Sequence, residues 1–262
     1  MLLYDHPFSP YGQKVRIMLR EKGLSFTQSL PTGIGAGDND DYARHNPRME
    51  VPALVVDDAH TLYDSTVILE YIEDAHPTPA MRPADPLERA RCRMIEEVCD
   101  THYEAINWGL GEIRFFGRAS DNVDALRAVA GRETAQLQQW LERQIQPSGW
   151  MSGADFGWAD ICAAPYVMMS GIFGFAPEQG SPLSHRLDRV RARPSVADTF
   201  AEAKVQVEPM SQVAQLLEAG LFKRQYRDHR LEWMIRAGGI DVVLDGLAKD
   251  NIRFTDLTRF TA

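Results

Sequence analysis

Hydrophobic residues follow two different patterns along the chain, and the change between them predicts two structural units. Roughly the first 75 residues combine short apolar runs with helical spacing, as at Val15, Met18 and Leu19. Asp57–Asp58 separates two of the runs, which is typical of a hairpin. We predict strands over Leu2–Tyr4, Leu24–Leu30, Pro52–Val56 and Thr61–Tyr63, and helices that begin at Ser9 and Ser65. This order predicts an α/β domain built on a mixed sheet.

The rest of the chain is predicted to be helical. His76–Pro86 carries four prolines in eleven residues, which indicates a linker. Helical spacing then predicts the segments Leu87–Arg118, Val123–Gln146, Trp158–Met169, Leu183–Arg191 and Ser195–Val205, with further amphipathic helices between Met210 and Gly246. We therefore expect an α/β domain over residues 1–76, a linker over 77–86, an all-helical bundle over 87–205 and a helical extension over 206–262.

The overall charge is acidic and disfavours two classes of partner. The chain has 28 Lys and Arg against 37 Asp and Glu, for a formal net charge of −9. Such a chain repels phosphate backbones and anionic lipids, so we expect neither nucleic-acid nor membrane binding. The uncharged stretch Ile161–Pro177 is shorter than the roughly 20 apolar residues that a membrane span requires, so we predict a buried core helix there.

The cysteines and the N-terminus predict a cytoplasmic protein. Cys92, Cys99 and Cys162 form no CxxC pair, and their odd number favours reduced thiols. The first ten residues lack the basic and long apolar regions of a signal peptide.

Three features of the first unit suit a small anionic or zwitterionic ligand. Ser9 is predicted at a helix N-terminus, where free N–H groups and the helix dipole favour an anion and a hydroxyl can donate to a thiolate. The Val51–Pro52 step is a candidate cis bond that opens a strand. Asp64–Ser65, at the next helix start, suits an amino-acid head group with both signs of charge. Taken singly, each feature also fits a plain helix cap or strand entry.

In combination, these motifs resemble the cytosolic glutathione transferase superfamily over residues 1–205. The resemblance is carried by the segments Ser9–Ile17, Asn46–Leu54, Asp64–Ile72, Ala159–Ile161 and Arg193–Val196. It implies a thioredoxin-like first domain, a helical second domain, glutathione as co-substrate and a homodimer. By position, Ser9 would hold the glutathione sulphur, Val51 would pair its main chain with the cysteinyl unit beside cis-Pro52, and Asp64 with Ser65 would bind the γ-glutamyl end.

The thiolate is the nucleophile in such chemistry, so the identity of the activating hydroxyl matters. A helix terminus and one hydroxyl donor would have to lower the thiol pKa by about one or two units, which is about 1.4–2.7 kcal/mol. Tyr4 and Tyr11 remain alternative donors. Because position 9 is serine and not cysteine, disulfide exchange is disfavoured there.

The second substrate is expected between the two units, against the start of the helical one. Tyr11 is expected as one wall of this site, and a cluster of aromatic residues follows at Tyr103, Trp108, Phe115 and Phe116. These predict a flat, hydrophobic electrophile, although helix core is the alternative for some of them. In the extension, Lys223, Arg224, Arg227, Arg230 and Trp233 either cover the site mouth or form a solvated helix face.

Several other signals are weaker. The family pattern has Ser or Thr where this chain has Gly157, three residues before Asp160. Gly33–Gly37 predicts a loop and not a dinucleotide site, and Asp38–Asp41 lacks the glycine and glutamate of a calcium loop. Cys99 and His102 share a helix face, where we favour core packing over a metal site.

The resemblance therefore implies a glutathione transferase, and the aromatic cluster predicts a hydrophobic, aromatic electrophile for it. The runs Ser65–Ile68, Glu73–Asp74 and Arg82–Pro86 resemble the bacterial lignin β-etherases, which displace a phenol from an aryl ether. A glutathione-dependent isomerase or dehalogenase is an open alternative, as is a non-catalytic binding or assembly protein with this fold.

Overall fold

The first strand of a small mixed sheet has Leu3 fully buried between the half-buried Leu2 and Tyr4. The computed structural model describes residues 1–31, 40–118, 122–205 and 238–249, with single residues between 214 and 235 and at 258. The first part comprises β1 (Leu2–Tyr4), α1 (Pro10–Glu21), β2 (Thr27–Ser29), α2 (Asp40–His45), β3 (Ala53–Val55), β4 (Thr61–Tyr63) and α3 (Ser65–Ala75). The sheet order is β2-β1-β3-β4, with β2 parallel to β1 and both other pairs antiparallel.

The second part is helical. It comprises α4 (Pro86–Val98), α5 (Glu104–Phe116), α6 (Val123–Glu142), α7 (Trp158–Ile172), α8 (Pro182–Arg191), α9 (Pro194–Val205) and, in the extension, α10 (Ile240–Ala248). Helix α7 is buried on nearly every side, since its residues Trp158 to Val167 are all buried. One continuous core runs through both parts, because α1 packs against α3 on one side and against α7 and α9 on the other. The predicted fold class, a thioredoxin-like α/β unit followed by helices, is confirmed.

Two predicted segments are wrong in detail. The expected single helix over Leu87–Arg118 is divided by a π-helical turn at Cys99–Tyr103. This turn places the side chain of Asp100 against Lys14 of α1 at 2.5 Å. The expected strand over Leu24–Leu30 pairs only at Thr27–Ser29, because Leu24 and Phe26 pack against the core instead.

Some predictions fall wholly or partly outside the described residues. The glycine-rich loop at Gly33–Gly37 lies outside them, as do the basic positions of the extension and Trp233. Of the acidic run Asp38–Asp41, the structure describes Asp40 and Asp41, which begin α2. Within the described ranges, every helix is too short or too polar to cross a bilayer, and no group of three or more His, Cys, Asp or Glu is placed to hold a metal ion.

A steric constraint that the sequence did not reveal explains why residue 157 is glycine. A Cβ at this position would lie 2.4 Å from the carbonyl oxygen of Met81 in the linker, which accepts the N–H of Trp158. The hydroxyl expected at the cap is supplied by Ser152, whose Oγ accepts the N–H of Ala159 at 2.9 Å. The start of α7 is therefore closed by the linker, which leaves no space for a side chain.

Candidate functional site

The register of the sheet brings three predicted segments to one edge. Tyr4 pairs with Ala53, and Ala53 pairs with Tyr63. Because β3 is antiparallel to both neighbours, the ends of β1 and β4 lie beside the beginning of β3. The residues that follow Tyr4, precede Ala53 and follow Tyr63 therefore converge, and these are the segments that contain Ser9, Val51–Pro52 and Asp64–Ser65.

Ser9 is the N-cap of α1, as predicted. Its backbone is extended, its Oγ accepts the N–H of Gly12 at 3.3 Å, and Pro10 follows at the first helical position. An accepting hydroxyl still carries its own hydrogen, so Ser9 can donate to a further acceptor. The half-buried side chain thus combines a helix N-terminus with an available hydroxyl donor.

The turn between β1 and α1, residues 5–9, is tightly built around Ser9. We call it the Ser9 turn. The N–H of Ser9 donates to the carbonyl of His6 at 2.8 Å, and the N–H of Phe8 donates to Nδ1 of His6 at 3.1 Å. Burial, with Arg16 nearby, lowers the pKa of His6, in keeping with an accepting neutral ring. Burial raises the pKa of Asp5 to about 7, although Arg16 acts in the opposite direction.

The second segment precedes β3. The Val51–Pro52 peptide bond is cis, as predicted, and Pro52 is buried while Val51 is half-buried. The paired part of β3 begins at Ala53, so the main chain of Val51 lies beyond the β1–β3 ladder. The carbonyl of Glu50 is held by Asn46, whose Nδ2 donates to it at 2.7 Å. The peptide groups around Val51 are therefore presented from a fixed support.

Asp64 and Ser65 form the third segment. Asp64 has a φ of 75°, a left-handed conformation that is strained for a residue with a side chain. Its Oδ1 caps α3 by accepting the N–H groups of Thr66 at 3.0 Å and Val67 at 3.2 Å. Ser65 is buried, whereas the carboxylate of Asp64 is exposed. A strained, exposed carboxylate at a helix N-terminus is the kind of arrangement that binding sites retain.

Sequence reasoning missed Arg48. Its guanidinium lies 2.7 Å from a carboxylate oxygen of Glu50 and 3.9 Å from Oδ2 of Asp64, and its side chain is 39% exposed. This places a cation beside the exposed carboxylate of Asp64. The edge therefore offers one positive and one negative group to a ligand that carries both charges. The signal for Arg48 in the sequence was weak, because a lone arginine in a loop has no motif.

Sequence reasoning also missed a buried ionic cluster behind the site. Lys14 of α1 is fully buried and its Nζ lies 2.7 Å from Glu96 and 2.5 Å from Asp100. Glu96 also accepts hydrogen bonds from Thr66 Oγ1 at 2.8 Å and Trp158 Nε1 at 2.7 Å. We call this the Lys14 cluster. It ties α1 and the first turn of α3 to the helical part.

The pKa values within the cluster reflect the position of Lys14 between Glu96 and Asp100, with Arg93 also 2.8 Å from Glu96. Burial opposes ionisation of Glu96, but Lys14 outweighs it and lowers the pKa of Glu96 to about 2. Burial dominates at Asp100 and raises its pKa. Burial disfavours the charge on Lys14, but Asp100 and Glu96 overcome this and raise its pKa.

The aromatic cluster lies beside the Ser9 turn. Phe8 packs edge-on against Phe115 of α5, with 5.2 Å between ring centroids. Phe115 and Phe116 belong to a small hydrophobic cluster with Phe173, against which Leu217 of the extension also packs. The predicted proximity of these phenylalanines to the first unit is therefore present in the structure. Leu217 is the described point where the extension reaches this cluster.

The predicted tyrosines and Trp108 occupy different environments. Tyr103 is fully buried, with its hydroxyl 2.9 Å from Ser170 Oγ, which favours the helix-core alternative for this residue. Tyr11 is half-buried and donates to the carbonyl of Asp100 at 2.8 Å, which places it at the junction of the two parts. Tyr4 packs against Tyr42 and His45 of α2. Trp108 is half-buried on α5.

Comparison with known proteins agrees with this architecture. Residues 3–80 match the family model described as the glutathione S-transferase N-terminal domain. Maleylacetoacetate isomerase of Pseudomonas aeruginosa is 33% identical over 201 residues, covering 74% of this chain and 93% of that protein. Protein LigF of Sphingobium is 27% identical over 249 residues, covering 78% of this chain and 95% of that protein.

Solved structures give the same result. A glutathione S-transferase from Methylobacterium radiotolerans, crystallised with glutathione sulfonate, is 28% identical with a TM-score of 0.58. The match covers 76% of this chain and 93% of that one. Together with the isomerase, which this chain covers almost completely, these similarities establish the family. The chain belongs to the glutathione S-transferase family.

Proposed function

We propose that this protein is a glutathione transferase in which Ser9 stabilises the glutathione thiolate for attack on a hydrophobic, aromatic electrophile. The observation that carries the proposal is the adjacency of two sites. Ser9 caps α1 with a hydroxyl that can still donate, and the neighbouring Phe8 packs on Phe115. A nucleophile held at Ser9 would therefore face an apolar surface suited to a flat substrate.

The glutathione site would extend along the same edge of the sheet. The main chain of Val51 would pair with the cysteinyl unit, in the manner of a short added strand. Asp64 would receive the γ-glutamyl ammonium, and Ser65 with the N-terminus of α3 would receive its carboxylate. Arg48 adds a cation at this end, 3.9 Å from Asp64. Local groups would thus bind an anionic ligand despite the overall charge of −9.

The proposed reaction is a nucleophilic displacement. The thiolate sulphur forms a bond to an electrophilic carbon, the bond from that carbon to the leaving group breaks, and the leaving group departs with the electron pair. For a β-aryl ether, the leaving group is a phenolate, which takes a proton from solvent. We include aryl ethers because the runs Ser65–Ile68 and Arg82–Pro86 resemble lignin β-etherases.

A second candidate is a glutathione-dependent cis–trans isomerase. It is favoured by the 33% identity to maleylacetoacetate isomerase across 93% of that relative. In that reaction the thiolate adds to an activated cis double bond, the resulting single bond rotates, and the thiolate is eliminated. Glutathione is regenerated, whereas displacement consumes it, so the fate of glutathione separates the two candidates.

The experiment compares Ser9→Ala with Ser181→Ala. Ser181 is a matched control, because it is also an N-cap followed by proline and accepts the N–H of Ser184 at 3.2 Å, but it begins α8. The substrates are 1-chloro-2,4-dinitrobenzene, an aryl ether with a chromogenic phenol, and maleylacetoacetate. We expect Ser9→Ala to lower turnover roughly 10- to 100-fold, as one or two pKa units of lost thiolate stabilisation imply, with Ser181→Ala unchanged.

Each outcome decides a part of the proposal. Equal turnover by Ser9→Ala and wild type would remove Ser9 from the chemistry. Turnover of maleylacetoacetate without consumption of glutathione would favour the isomerase. Glutathione binding without turnover of any substrate would favour a binding or assembly protein.

We also propose a cytoplasmic homodimer. Tyr63, Val67 and Met94 are exposed hydrophobic residues, and the Arg93–Glu70 ion pair holds α4 beside α3 near them. A second copy covering this surface would remove these side chains from water.

The three cysteines are buried free thiols, in keeping with the reducing compartment that we propose for this dimer. Light scattering should give twice the chain mass, and Val67→Glu should reduce it; a monomeric wild type would contradict the proposal.

A further inference from the structure

We infer that Arg16 is a positioning residue for Ser9, which it supports through the main chain of the Ser9 turn while α9 holds it in place. The inference rests on the proposed role of Ser9 and extends it. It assigns part of the control of thiol activation to a residue further along α1 and to a helix of the second part of the chain.

Arg16 is a fully buried cation that bridges two parts of the molecule. Its Nη2 donates to the carbonyl oxygen of Pro7 at 2.7 Å, and its Nε lies 2.8 Å from Oδ2 of Asp5. Its Nη1 donates to the carbonyl of Thr199 at 3.4 Å and to the carboxylate of Glu202. One planar guanidinium thus contacts both the Ser9 turn and α9.

The contact with Pro7 is made two residues before Ser9. The same carbonyl accepts a second hydrogen bond, from Gln13 Nε2 at 3.0 Å. The side chains of Arg16 and Gln13 therefore hold the middle of the turn against α1. A turn held at this carbonyl has little freedom to change the direction in which the Ser9 hydroxyl points.

Asp5 packs closely against α1 beneath the turn. A Cβ on Gly12 would lie 1.6 Å from Oδ1 of Asp5, so the carboxylate rests directly on the first turn of α1. Gly12 is also the residue whose N–H caps onto Ser9 Oγ. If Arg16 released Asp5, the buried carboxylate would be left without its close cation and the turn would have to rearrange around it.

Helix α9 fixes the outer end of Arg16. The Glu202 carboxylate pairs with both Arg16 and Arg20, and Arg20 also bonds Thr199. The Glu202 side chain is 37% exposed, and Arg16 keeps the carboxylate of Asp5 at 2.8 Å when Glu202 is altered. A substitution of Glu202 therefore weakens the contact between Arg16 and α9 while the contacts of Arg16 with the Ser9 turn stay in place.

A second link between α1 and α9 provides the matched control. Arg193, at the start of α9, makes a two-pronged contact with Glu21 at 2.9 and 2.6 Å. Glu21 is the last residue of α1, at the opposite end from Ser9. Arg193→Gln therefore loosens the same pair of helices without touching the Ser9 turn.

The test measures the pKa of enzyme-bound glutathione from thiolate absorbance near 240 nm across pH, together with kcat and KM for glutathione and 1-chloro-2,4-dinitrobenzene. The variants are Ser9→Ala, Arg16→Lys, Glu202→Gln and Arg193→Gln. Lysine keeps the charge of Arg16, but its single Nζ cannot reach the turn and α9 together.

We expect Arg16→Lys to raise the bound thiol pKa by about 0.5–1 unit, a three- to tenfold loss of thiolate at neutral pH, with KM for glutathione changed less than twofold. Glu202→Gln should cause a smaller shift in the same direction, and Arg193→Gln none. If Arg16→Lys does not fold, the comparison of Glu202→Gln with Arg193→Gln decides.

The outcomes separate this inference from the proposed function. If Ser9→Ala leaves the thiol pKa unchanged, the role of Ser9 fails and this inference fails with it. If Ser9→Ala raises the pKa but Arg16→Lys and Glu202→Gln leave it at the wild-type value, only the positioning role is overturned. Equal shifts in Glu202→Gln and Arg193→Gln would indicate general loosening of the helices and would also overturn it.

Discussion

Replacing Lys14 with methionine tests whether the Lys14 cluster holds the two parts of the chain together. Lys14 is fully buried and its ammonium contacts Glu96 at 2.7 Å and Asp100 at 2.5 Å. Methionine fills a similar volume but leaves two buried carboxylates without their shared cation. Removal of one partner from a buried pair costs about 3–5 kcal/mol. We expect the lower end, about 3 kcal/mol, because Glu96 keeps Arg93 at 2.8 Å and the hydrogen-bond donors Thr66 and Trp158.

The pH dependence gives an independent measure of the same interaction. The pKa of Glu96 falls from 4.5 to about 2 on folding, because Lys14 outweighs the effect of burial. A lowered folded pKa adds stability above pH 4.5 that is lost as the pH falls toward 2, and about 2.5 units correspond to about 3 kcal/mol. Lys14→Met should raise the pKa of Glu96 in the folded state. The unfolding free energy of this variant should therefore depend less on pH between 4.5 and 2 than that of the wild type.

The assay is urea unfolding followed by tryptophan fluorescence at pH 7, 5, 4 and 3. Lys249→Met is the control, because Lys249 pairs with Asp245 at 2.8 Å on the exposed surface of α10 and should contribute less than about 1 kcal/mol. The double variant Lys14→Met with Glu96→Gln should recover part of the lost unfolding free energy, since it removes one of the two carboxylates that lose Lys14. A loss below about 1 kcal/mol at pH 7, or an unchanged slope below pH 4.5, would refute the reasoning.

Three further changes probe single features. Gly157→Ala should destabilise the protein by about 1–3 kcal/mol in thermal unfolding, because the new Cβ would meet the carbonyl of Met81 at 2.4 Å; the control Gly109→Ala on α5 meets nothing within 4 Å and should be neutral or stabilising. Equal effects would contradict the steric argument. Asp64→Asn can keep the caps of α3 but removes the charge, so calorimetry should show weaker glutathione binding with little change in stability, unless Asp64 serves only as a cap. Leu217→Asp places a charge against the aromatic cluster and should raise KM for aromatic substrates but not for glutathione; an equal rise in both would reject this contact as specific to the second substrate.

The elements and three of the segments at the sheet edge were predictable from the sequence, because each depends on local rules. Ser9 followed by Pro10 is a favoured helix start, and so is Asp64 followed by Ser65, and both begin helices here. The Val51–Pro52 step is likewise visible in the sequence. Short-range chemistry was sufficient for these positions.

The long-range parts of the site were not predictable in this way. The Lys14 cluster joins residues more than 80 positions apart, and its members look in sequence like solvated charges on amphipathic helices. Tyr103 was ambiguous for the same reason, since an aromatic residue on a helix has the same pattern whether it faces a cleft or the core. The π-helical turn that begins at Cys99 also has no signature in the local sequence, and the partner of its Asp100 is Lys14, 86 positions away in the chain.

The charges on α1 have a consequence for how the chain folds. Among the described residues, the carboxylates that pair with Lys14 lie in the helical part, and Arg16 shares its guanidinium between the Ser9 turn and α9. The first 80 residues expressed alone would therefore leave Lys14 without these two carboxylates and Arg16 without Glu202, next to the apolar residues that normally meet α7. The two units are separate segments of the sequence, but we expect them to unfold together as one cooperative unit. Calorimetry should show one unfolding transition for the whole molecule, and neither unit should be exchangeable for that of a relative unless the charges facing α1 are exchanged with it.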